Sequence, residues 1–485
     1  MVNSILQFQT EGIPQLQEVF DRYSSDPTKV AEMVKGVMDV MLRLGVSIIT
    51  EEWESYDELL HKNKDLRPGW SVVRRDTGNK ITTIGTVPYT KTYFRNKVTG
   101  EYCYLVDRLL GFNAGERLTE DAVARILEEA VDSSYRKGGI NVSIDEDTLV
   151  TKEAVMDIVH DLKFPKTSSL EEKRKVKTLY IDADEDHVAL QYLDDNDELR
   201  DSKYNTYMPR LVYVYEGIDT ESDRHQLIQV KYFGGGYEGS GGVKALWKAV
   251  YEYIRESYDE EELETIYVSG DGAEWIQTGA QMHAKAKFVL DKYHMHQYIV
   301  TATSHLMDST SEARSQIWRA INGKRKKDAE AVFDHILAIT DKETKRNAVE
   351  ISKKYILSHW PGIMNGVRNR SDNIQCSAEG HVSHVYSDRM SSRPLGWCKV
   401  GADKMSQLRV YKKNRESMLD LVRYQKEDVA PSNEVKEVIC SASDVMASEA
   451  KNRYRMGMYA DIPTYTIPYA QVRKKAAIRH NLWGL

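Results

Sequence analysis

The segment from residue 178 to residue 290 constrains the fold more than any other part of the chain. Strands are expected in order over 178–184, 211–216 and 227–233, a helix over 243–257, then strands over 265–269 and 287–290. Three successive strands, a helix, a strand, and a further strand and helix is an α/β order with a mixed sheet. A long, almost purely helical stretch follows over 295–357, carrying the basic run Lys324-Arg-Lys-Lys327. Upstream, residues 11–60 have helical periodicity through Leu16, Val19, Phe20, Val30, Met33, Val34, Val37, Met38 and Met41. Residues 67–108 read as β-rich, with Gly78, Gly85 and Gly100 at turns. Two helices at 119–130 and 151–160, joined by a polar connector, suggest a helix-turn-helix, an arrangement that also serves as a plain packing unit.

At 41% hydrophobic and 29% charged residues over 485, the chain has the apolar content for sizeable cores. No uncharged apolar run approaches the roughly 18 residues of a membrane helix. The first ten residues lack the basic and apolar regions of a signal peptide. Cys103, Cys376, Cys398 and Cys440 lie far apart with no Cys-x-x-Cys, which excludes a disulfide framework and a zinc ribbon and fits a reducing cytoplasm. The net charge of −7 excludes a uniformly basic nucleic-acid coat but not a local one. Between Lys62 and Lys97 nine basic residues face two acidic ones, with Trp70, Tyr89, Tyr93 and Phe94 interleaved. Cations beside stacking faces suit a phosphate backbone, and a solvated basic surface fits the same residues equally well.

The acidic excess is also concentrated, in residues 182–201. Strand alternation puts Asp182, Asp184 and Asp186 on one face unless the chain bends at the strand end. Carboxylates so placed repel one another without a cation, and hard oxygen ligands suit Mg²⁺ or Mn²⁺. An EF-hand is excluded, because its sixth position would be His187 and its twelfth Leu193. Asp271 ends an apolar strand between two glycines, at the carboxyl edge where α/β sheets collect ligands. Glu379 begins a short helix in Cys376-Ser-Ala-Glu-Gly-His-Val-Ser-His384. Two-metal phosphoryl transfer needs carboxylates that converge from distant segments, and Asp184, Asp271 and Glu379 have that distribution. Gly234-Gly-Gly-Tyr-Glu-Gly239 matches G-x-G-x-x-G but follows a third consecutive strand, so a turn is expected rather than a dinucleotide site. No P-loop sequence occurs. His294 and His296 do not share a helix face and lack a third zinc ligand at suitable spacing; a structural or substrate-positioning role is expected.

Several blocks together resemble the bacterial insertion-sequence DDE transposases, in the Mutator-related branch long catalogued as an uncharacterised protein family. They are Gly69-Trp-Ser-Val-Val-Arg-Arg75, Ser133-Ser-Tyr-Arg-Lys-Gly138, Ala183-Asp-Glu-Asp-His-Val188, Gly270-Asp-Gly272, Leu290-Asp-Lys-Tyr-His-Met295 and Ser377-Ala-Glu-Gly-His-Val-Ser-His384. The last continues into Met390-Ser-Ser-Arg-Pro-Leu-Gly-Trp397 and Gly401-Ala-Asp-Lys-Met405. The resemblance implies an RNase H-like mixed-sheet catalytic core with a helical insertion, preceded by an N-terminal helical and β-rich DNA-binding region. It implies a triad of Asp184, Asp271 and Glu379 holding two Mg²⁺ (or Mn²⁺) ions; Asp182 and Asp186 are neighbouring alternatives to Asp184. The expected division is 1–60 helical, 61–118 basic and β-rich, 119–165 helix-turn-helix-like, 166–310 first part of the core, 311–372 insertion, 373–425 return to the core and 426–485 tail. Arg67, Arg74, Arg75, Lys91 and Arg95 are expected to engage double-stranded DNA at the element ends, and Arg389, Arg393, Lys399, Lys404 and Arg409 to hold phosphates near the cut. The expected activity is cleavage and strand transfer in the bacterial cytoplasm, at the nucleoid when bound, by at least a dimer on DNA and without a membrane partner. The competing readings are a domesticated DNA-binding protein with a silent nuclease, and an RNase H-like nuclease or resolvase that does not join ends.

Overall fold

The computed structural model describes residues 2–145, 148–191, 205–219, 226–372, 374–392, 396–426, 435–439 and 442–447. The acidic residues 194–201, Arg393, Cys440 and the basic patch from Arg473 to Arg479 lie outside the described residues. The chain forms two compact units, 1–119 with 429–485, and 120–428.

In the first unit, helices α1 (Val2–Gln7), α2 (Ile13–Ser25) and α3 (Val30–Lys62) precede strands β1 (Trp70–Thr82), β2 (Gly85–Asn96) and β3 (Tyr102–Tyr104), then α4 (Leu105–Leu109). The three strands form an antiparallel sheet in chain order, β1 and β2 joined by a tight hairpin closing at Thr82 and Gly85. Leu60, Trp70, Tyr89, Phe94, Leu105 and Val106 bury themselves between sheet and helix, together with Val435 and Val438.

The second unit opens with α5 (Glu120–Ala130), α6 (Tyr135–Ile140) and α7 (Lys152–His160). There follow β4 (Thr178–Glu185), β5 (Val188–Ala189), β6 (Thr206–Tyr207), β7 (Arg210–Tyr215), β8 (Gly217–Ile218), β9 (Leu227–Ile228), β10 (Lys231–Gly235), α8 (Gly239–Ser257), β11 (Thr265–Gly270), α9 (Glu274–Gln281) and β12 (Ala286–Leu290). Helices complete it: α10 (Lys292–Thr303), α11 (Thr310–Asn322), α12 (Lys326–Ala338), α13 (Glu343–Ser358), α14 (Trp360–Arg368), α15 (Ala378–Val382), α16 (Asp388–Met390), α17 (Lys399–Lys413) and α18 (Met418–Tyr424). The central sheet has the order β10-β7-β4-β11-β12. The first two pairings are antiparallel and the last two parallel, so the sheet is mixed, as the sequence pattern implied. The strand expected over 227–233 is instead two pieces. Gln229 takes a φ of 53°, a left-handed conformation no ladder accommodates, and breaks it.

Period-2 alternation gives the sheet two unlike faces. One carries Leu179, Ile181, Ala183, Val212, Val214, Ile266 and Val268, buried against Leu246, Trp247, Val250 and Ile254 of α8. Each of these Leu, Ile and Val side chains removed from water stabilises the core by roughly 1.5–3 kcal/mol. The other face carries Tyr180, Tyr213, Tyr215, Tyr232 and Tyr267, with Asp182 and Asp184 of β4. Tyr180 stacks between Tyr215 and Tyr267 at 5.4 and 5.9 Å. The helices of 119–165 pack into this unit: Ala124, Leu127, Val131 and Val159 share a core with Val385, Met405 and Leu408.

Helix α9, which follows Asp271, is seated by a close approach. A Cβ on Gly279 would lie 1.9 Å from the Trp247 ring, whose Nε1 donates to the Trp275 carbonyl at 2.9 Å. Gly279→Ala is therefore expected to destabilise the protein by about 1–3 kcal/mol. Gly241→Ala, at a site with open space around it on α8, should leave stability unchanged or raise it by about 0.5–1 kcal/mol. Urea unfolding midpoints of the two variants would move in opposite directions, or the second not at all.

Candidate active site

The polar face of the sheet is built around Asp182, which is fully buried in mid-strand. Its Oδ2 accepts the Tyr213 hydroxyl at 2.7 Å and the Ser377 backbone N–H at 3.0 Å, and the Tyr215 hydroxyl lies 3.4 Å from both oxygens. Burial pushes its carboxyl up to about 7 even against these donors. Asp182 is thus committed to the protein's interior. Asp186 is also engaged: β4 ends at Glu185, and the Asp186 Oδ2 accepts Ser391 Oγ at 2.8 Å. The face alternation therefore pairs Asp182 with Asp184 only.

Asp184 stands at the carboxyl end of β4. The parallel register sets Ser269 beside Asp182, so two residues on, just past the end of β11, Asp271 falls beside Asp184. Burial, and then the neighbouring Asp271 carboxylate, push Asp184 up to about 7; the Glu185 N–H and His294 act against the shift. Asp271 closes its own turn by accepting the Ala273 N–H at 2.8 Å, and Gly272 takes the φ of 96° that this turn requires. The helical segment clamps the turn from above. The Tyr355 hydroxyl donates to the Asp271 carbonyl, and His359 Nε2 lies 3.2 Å from the Gly272 carbonyl.

Sequence reasoning missed a third strand-end aspartate. Asp291 follows β12, donates its N–H to the Gly270 carbonyl at 2.8 Å, and caps α10 by accepting the Tyr293 N–H at 3.1 Å. Its other oxygen lies 2.8 Å from His294 Nδ1. Asp291 first, then Asp184 and Asp271, raise the His294 imidazole above its usual value. The signal was an apolar strand running into an aspartate, as at Asp271, though without the flanking glycines. His296, in contrast, is exposed on another face of α10.

Glu379 lies on α15, which packs on β4. The helix is anchored by the Ser377 N–H on Asp182, by Ser377 Oγ at 2.9 Å from the Tyr213 hydroxyl, and by the His381 ring stacked on Tyr213 at 4.4 Å. The structure thus brings Asp184 and Asp271 together and carries the helix of Glu379 onto the same sheet face, with Glu379 itself exposed. Among the described residues, no three His, Cys, Asp or Glu side chains form a group that could hold a metal ion. Asp184 and Asp271 supply two hard oxygen donors of such a site. Two adjacent carboxylates, one pushed up to about 7 in part by the other, are the environment a hard divalent cation relieves.

The expected phosphate contacts divide sharply. Arg67 is buried under Phe94, donating to the carbonyls of Leu60, His61 and Trp70, so it holds the fold and cannot reach DNA. Lys91 is spent on Asp107 at 2.5 Å. Arg75 pairs with Asp57 and Glu58 of α3. Arg74 and Arg95 are exposed. Arg74 lies 4.6 Å over the Tyr93 ring, which stacks on Tyr102 at 5.7 Å, and Arg95 lies 5.6 Å over Tyr102, although Arg74 also pairs with Asp76. In the second unit Arg389 is half-buried over Trp397, Lys404 donates to the Leu162 carbonyl at 2.7 Å, Lys399 pairs with Glu238, and Arg409 is held by Asp132 at 2.6 Å and by carbonyls. Each of these cations has a partner within its own unit. Gly234 and Gly236 are no phosphate cradle either: the Tyr386 and Tyr207 hydroxyls fill the space beside them.

A family model described as an uncharacterised protein family, UPF0236, matches residues 24–427. The chain belongs to that family. Among curated relatives, a UPF0236 protein of Caldanaerobacter subterraneus subsp. tengcongensis is 34% identical over 412 residues, covering 84% of this chain and 83% of its own. A second UPF0236 protein of that bacterium, with the same identity and coverages, carries eleven locus names, so the family is present there in many copies. A UPF0236 protein of Streptococcus gallolyticus, described as lying in the vanSb 3′ region, is 22% identical over 79% of this chain and 83% of its own. Among solved structures, the Drosophila P element transposase strand transfer complex overlaps 72% of this chain and 89% of its own, at 12% identity and a TM-score of 0.23, too low to bear on the fold. No helix among the described residues of this UPF0236 protein is long and apolar enough to cross a membrane.

Proposed function

We propose that this UPF0236 protein is a DDE-type transposase of a bacterial insertion sequence. It binds the inverted repeats of its element as double-stranded DNA, hydrolyses phosphodiester bonds there and joins the freed 3′-hydroxyl to target DNA, acting as at least a dimer. The observation that carries this reading is the meeting of Asp184 and Asp271 at the carboxyl ends of two neighbouring parallel strands. Strand order supports an RNase H-like core: three antiparallel strands, then, after a helix, two more running parallel to the first. The many copies in one bacterium support a mobile element.

Asp184 and Asp271 would hold the ions, and Glu379, carried over the same face by α15, would complete the set. Bound there, two Mg²⁺ or Mn²⁺ ions would activate the attacking oxygen and stabilise the leaving one. The remaining work falls to the chain. Asp182 and Tyr213 fix α15, Tyr355 and His359 fix the Asp271 turn, and Asp291 orients the His294 imidazole, whose affinity for a proton the two aspartates raise. Arg74 and Arg95 with Tyr93 and Tyr102 offer phosphates a face of alternating charge and ring.

Arg74→Ala with Arg95→Ala should weaken duplex binding and lower the slope of log affinity against log salt by about 2, one for each lost phosphate contact. Arg67→Ala should cost about 3 kcal/mol of stability with the slope unchanged, because three carbonyls, two of them in buried contacts, lose their donor. Fluorescence anisotropy at several salt concentrations checks both. The function itself is tested by incubating the protein and Mg²⁺ with DNA bearing the flanks of its own reading frame, and with a pre-cut end plus a target plasmid. Cleavage at the repeats and joined products support the proposal. Cleavage without joining indicates a nuclease or resolvase, and binding without cleavage a silent DNA-binding protein; either result overturns it.

A further inference from the structure

A cavity of about 700 Å³ opens in the second unit, away from the aspartates' own contacts. Its walls are Tyr135, Met156 and Trp397, and its cations are Arg136, Lys152 and Arg389. Trp397 is a fixed wall: its Nε1 donates to the Met390 carbonyl at 3.1 Å, Tyr135 meets it edge-on at 6.3 Å, and the Arg389 guanidinium covers it at 4.9 Å. The backbone of Trp397 pairs with Ala189 and Gln191, on the segment leading out of β4 just beyond Asp184.

The polar groups around this apolar chamber point to an anionic, planar ligand. Tyr135 contributes a buried hydroxyl without a hydrogen-bond partner among the described residues. Arg136 is exposed and has no carboxylate partner among them. Lys152 is the first residue of α7, a nine-residue helix capped by Thr151, so it adds its charge to a helix N-terminus that favours phosphate. Glu153 is the acidic residue of the lining and pairs with Lys152 at 3.5 Å, leaving the cavity net cationic. Rings, a rigid apolar wall and a cationic rim are how single strands are held, bases stacking on aromatics while cations follow the backbone. A site for a neutral apolar molecule would need neither Arg136 nor Lys152 at its rim.

We propose that this cavity receives one unstacked nucleobase of a DNA strand, with the adjacent phosphate on Arg136 and Lys152. The inference rests on the transposase reading for the identity of the polymer. It adds that the strand entering the site is unpaired at one nucleotide.

The test uses the full chain in EDTA, so that it does not depend on cleavage, and a 12-residue oligothymidylate with one 5-iododeoxyuridine. Under ultraviolet light the probe should crosslink to Trp397 or Tyr135, as read by peptide mass spectrometry. Trp397→Ala should weaken binding about tenfold or more. Because Trp397 is buried and its loss endangers folding, two surface variants carry equal weight. Arg136→Glu with Lys152→Glu should weaken binding at least about tenfold, and Met156→Trp, which fills the chamber, should abolish the crosslink. Crosslinks confined to Tyr93 or Tyr102, unchanged affinity in both surface variants, or equal affinity for an abasic strand would overturn the proposal. If the strand docks in the cavity but Mg²⁺ never brings about cutting of the element ends, the transposase reading fails and the cavity assignment stands.

Discussion

Asp271→Asn yields a protein that folds, binds element ends and does not cut them. The expected loss of Mg²⁺-dependent cleavage is on the order of a thousandfold or more, because one of the paired carboxylates no longer carries charge to an ion. Folding should survive. The Asp271 turn is held by groups that asparagine preserves: a side-chain oxygen for the Ala273 N–H and a backbone carbonyl for Tyr355. DNA affinity should stay level or rise, since a negative charge facing phosphate is removed. Gel-based cleavage and anisotropy on the same preparation separate the two effects, and a variant that still cuts would take Asp271 out of the chemistry.

Asp182 is expected to dominate stability and its pH dependence. Asp182→Ala strips the Ser377 N–H of its acceptor and removes the groups that seat Tyr213 and Tyr215, a loss of about 2–5 kcal/mol. Since Ser377 anchors the helix of Glu379, cleavage should fall with it. The pH behaviour follows from the direction of the shift. In the folded chain the Asp182 carboxyl holds its proton up to about 7, whereas the ordinary value is 3.8. Between those values the folded state carries the extra proton, so stability from this group falls as pH rises from about 4 to about 7, then levels off. Asp184, also pushed up to about 7, adds to the same slope. In EDTA, Asp182→Asn should flatten part of the slope and be the more stable protein at pH 8, by a few kcal/mol at most, and close to the parent near pH 4. Thermal melts of both proteins from pH 4 to pH 8 show the difference directly.

Much of the second unit was legible because its strands are short apolar runs that a period-2 reading separates from the surrounding helices. The break at Gln229 was not, since a left-handed φ at a non-glycine residue leaves no mark in the pattern. Asp184 and Asp271 could be singled out as acids at strand ends, but their adjacency depends on strand order and on a parallel register that only pairing fixes. Asp182 looked equivalent to Asp184 in sequence. What separates them is depth, one enclosed by two tyrosines and a backbone N–H, the other at the strand's mouth. The cations were least legible. Arg67 and Arg74 differ by seven positions and share a basic block, yet one is enclosed by carbonyls and the other lies open over a ring. Charge density along a chain does not say which charges the fold consumes.

The most direct measurement is an anomalous difference map from crystals of the protein grown with Mn²⁺ and a DNA strand. Manganese should lie between Asp184 and Asp271, about 2.1 Å from an oxygen of each, with Glu379 on one of the ions. Manganese bound elsewhere, with the carboxylates of Asp184 and Asp271 empty, would contradict a metal-dependent phosphoryl-transfer site at the ends of β4 and β11.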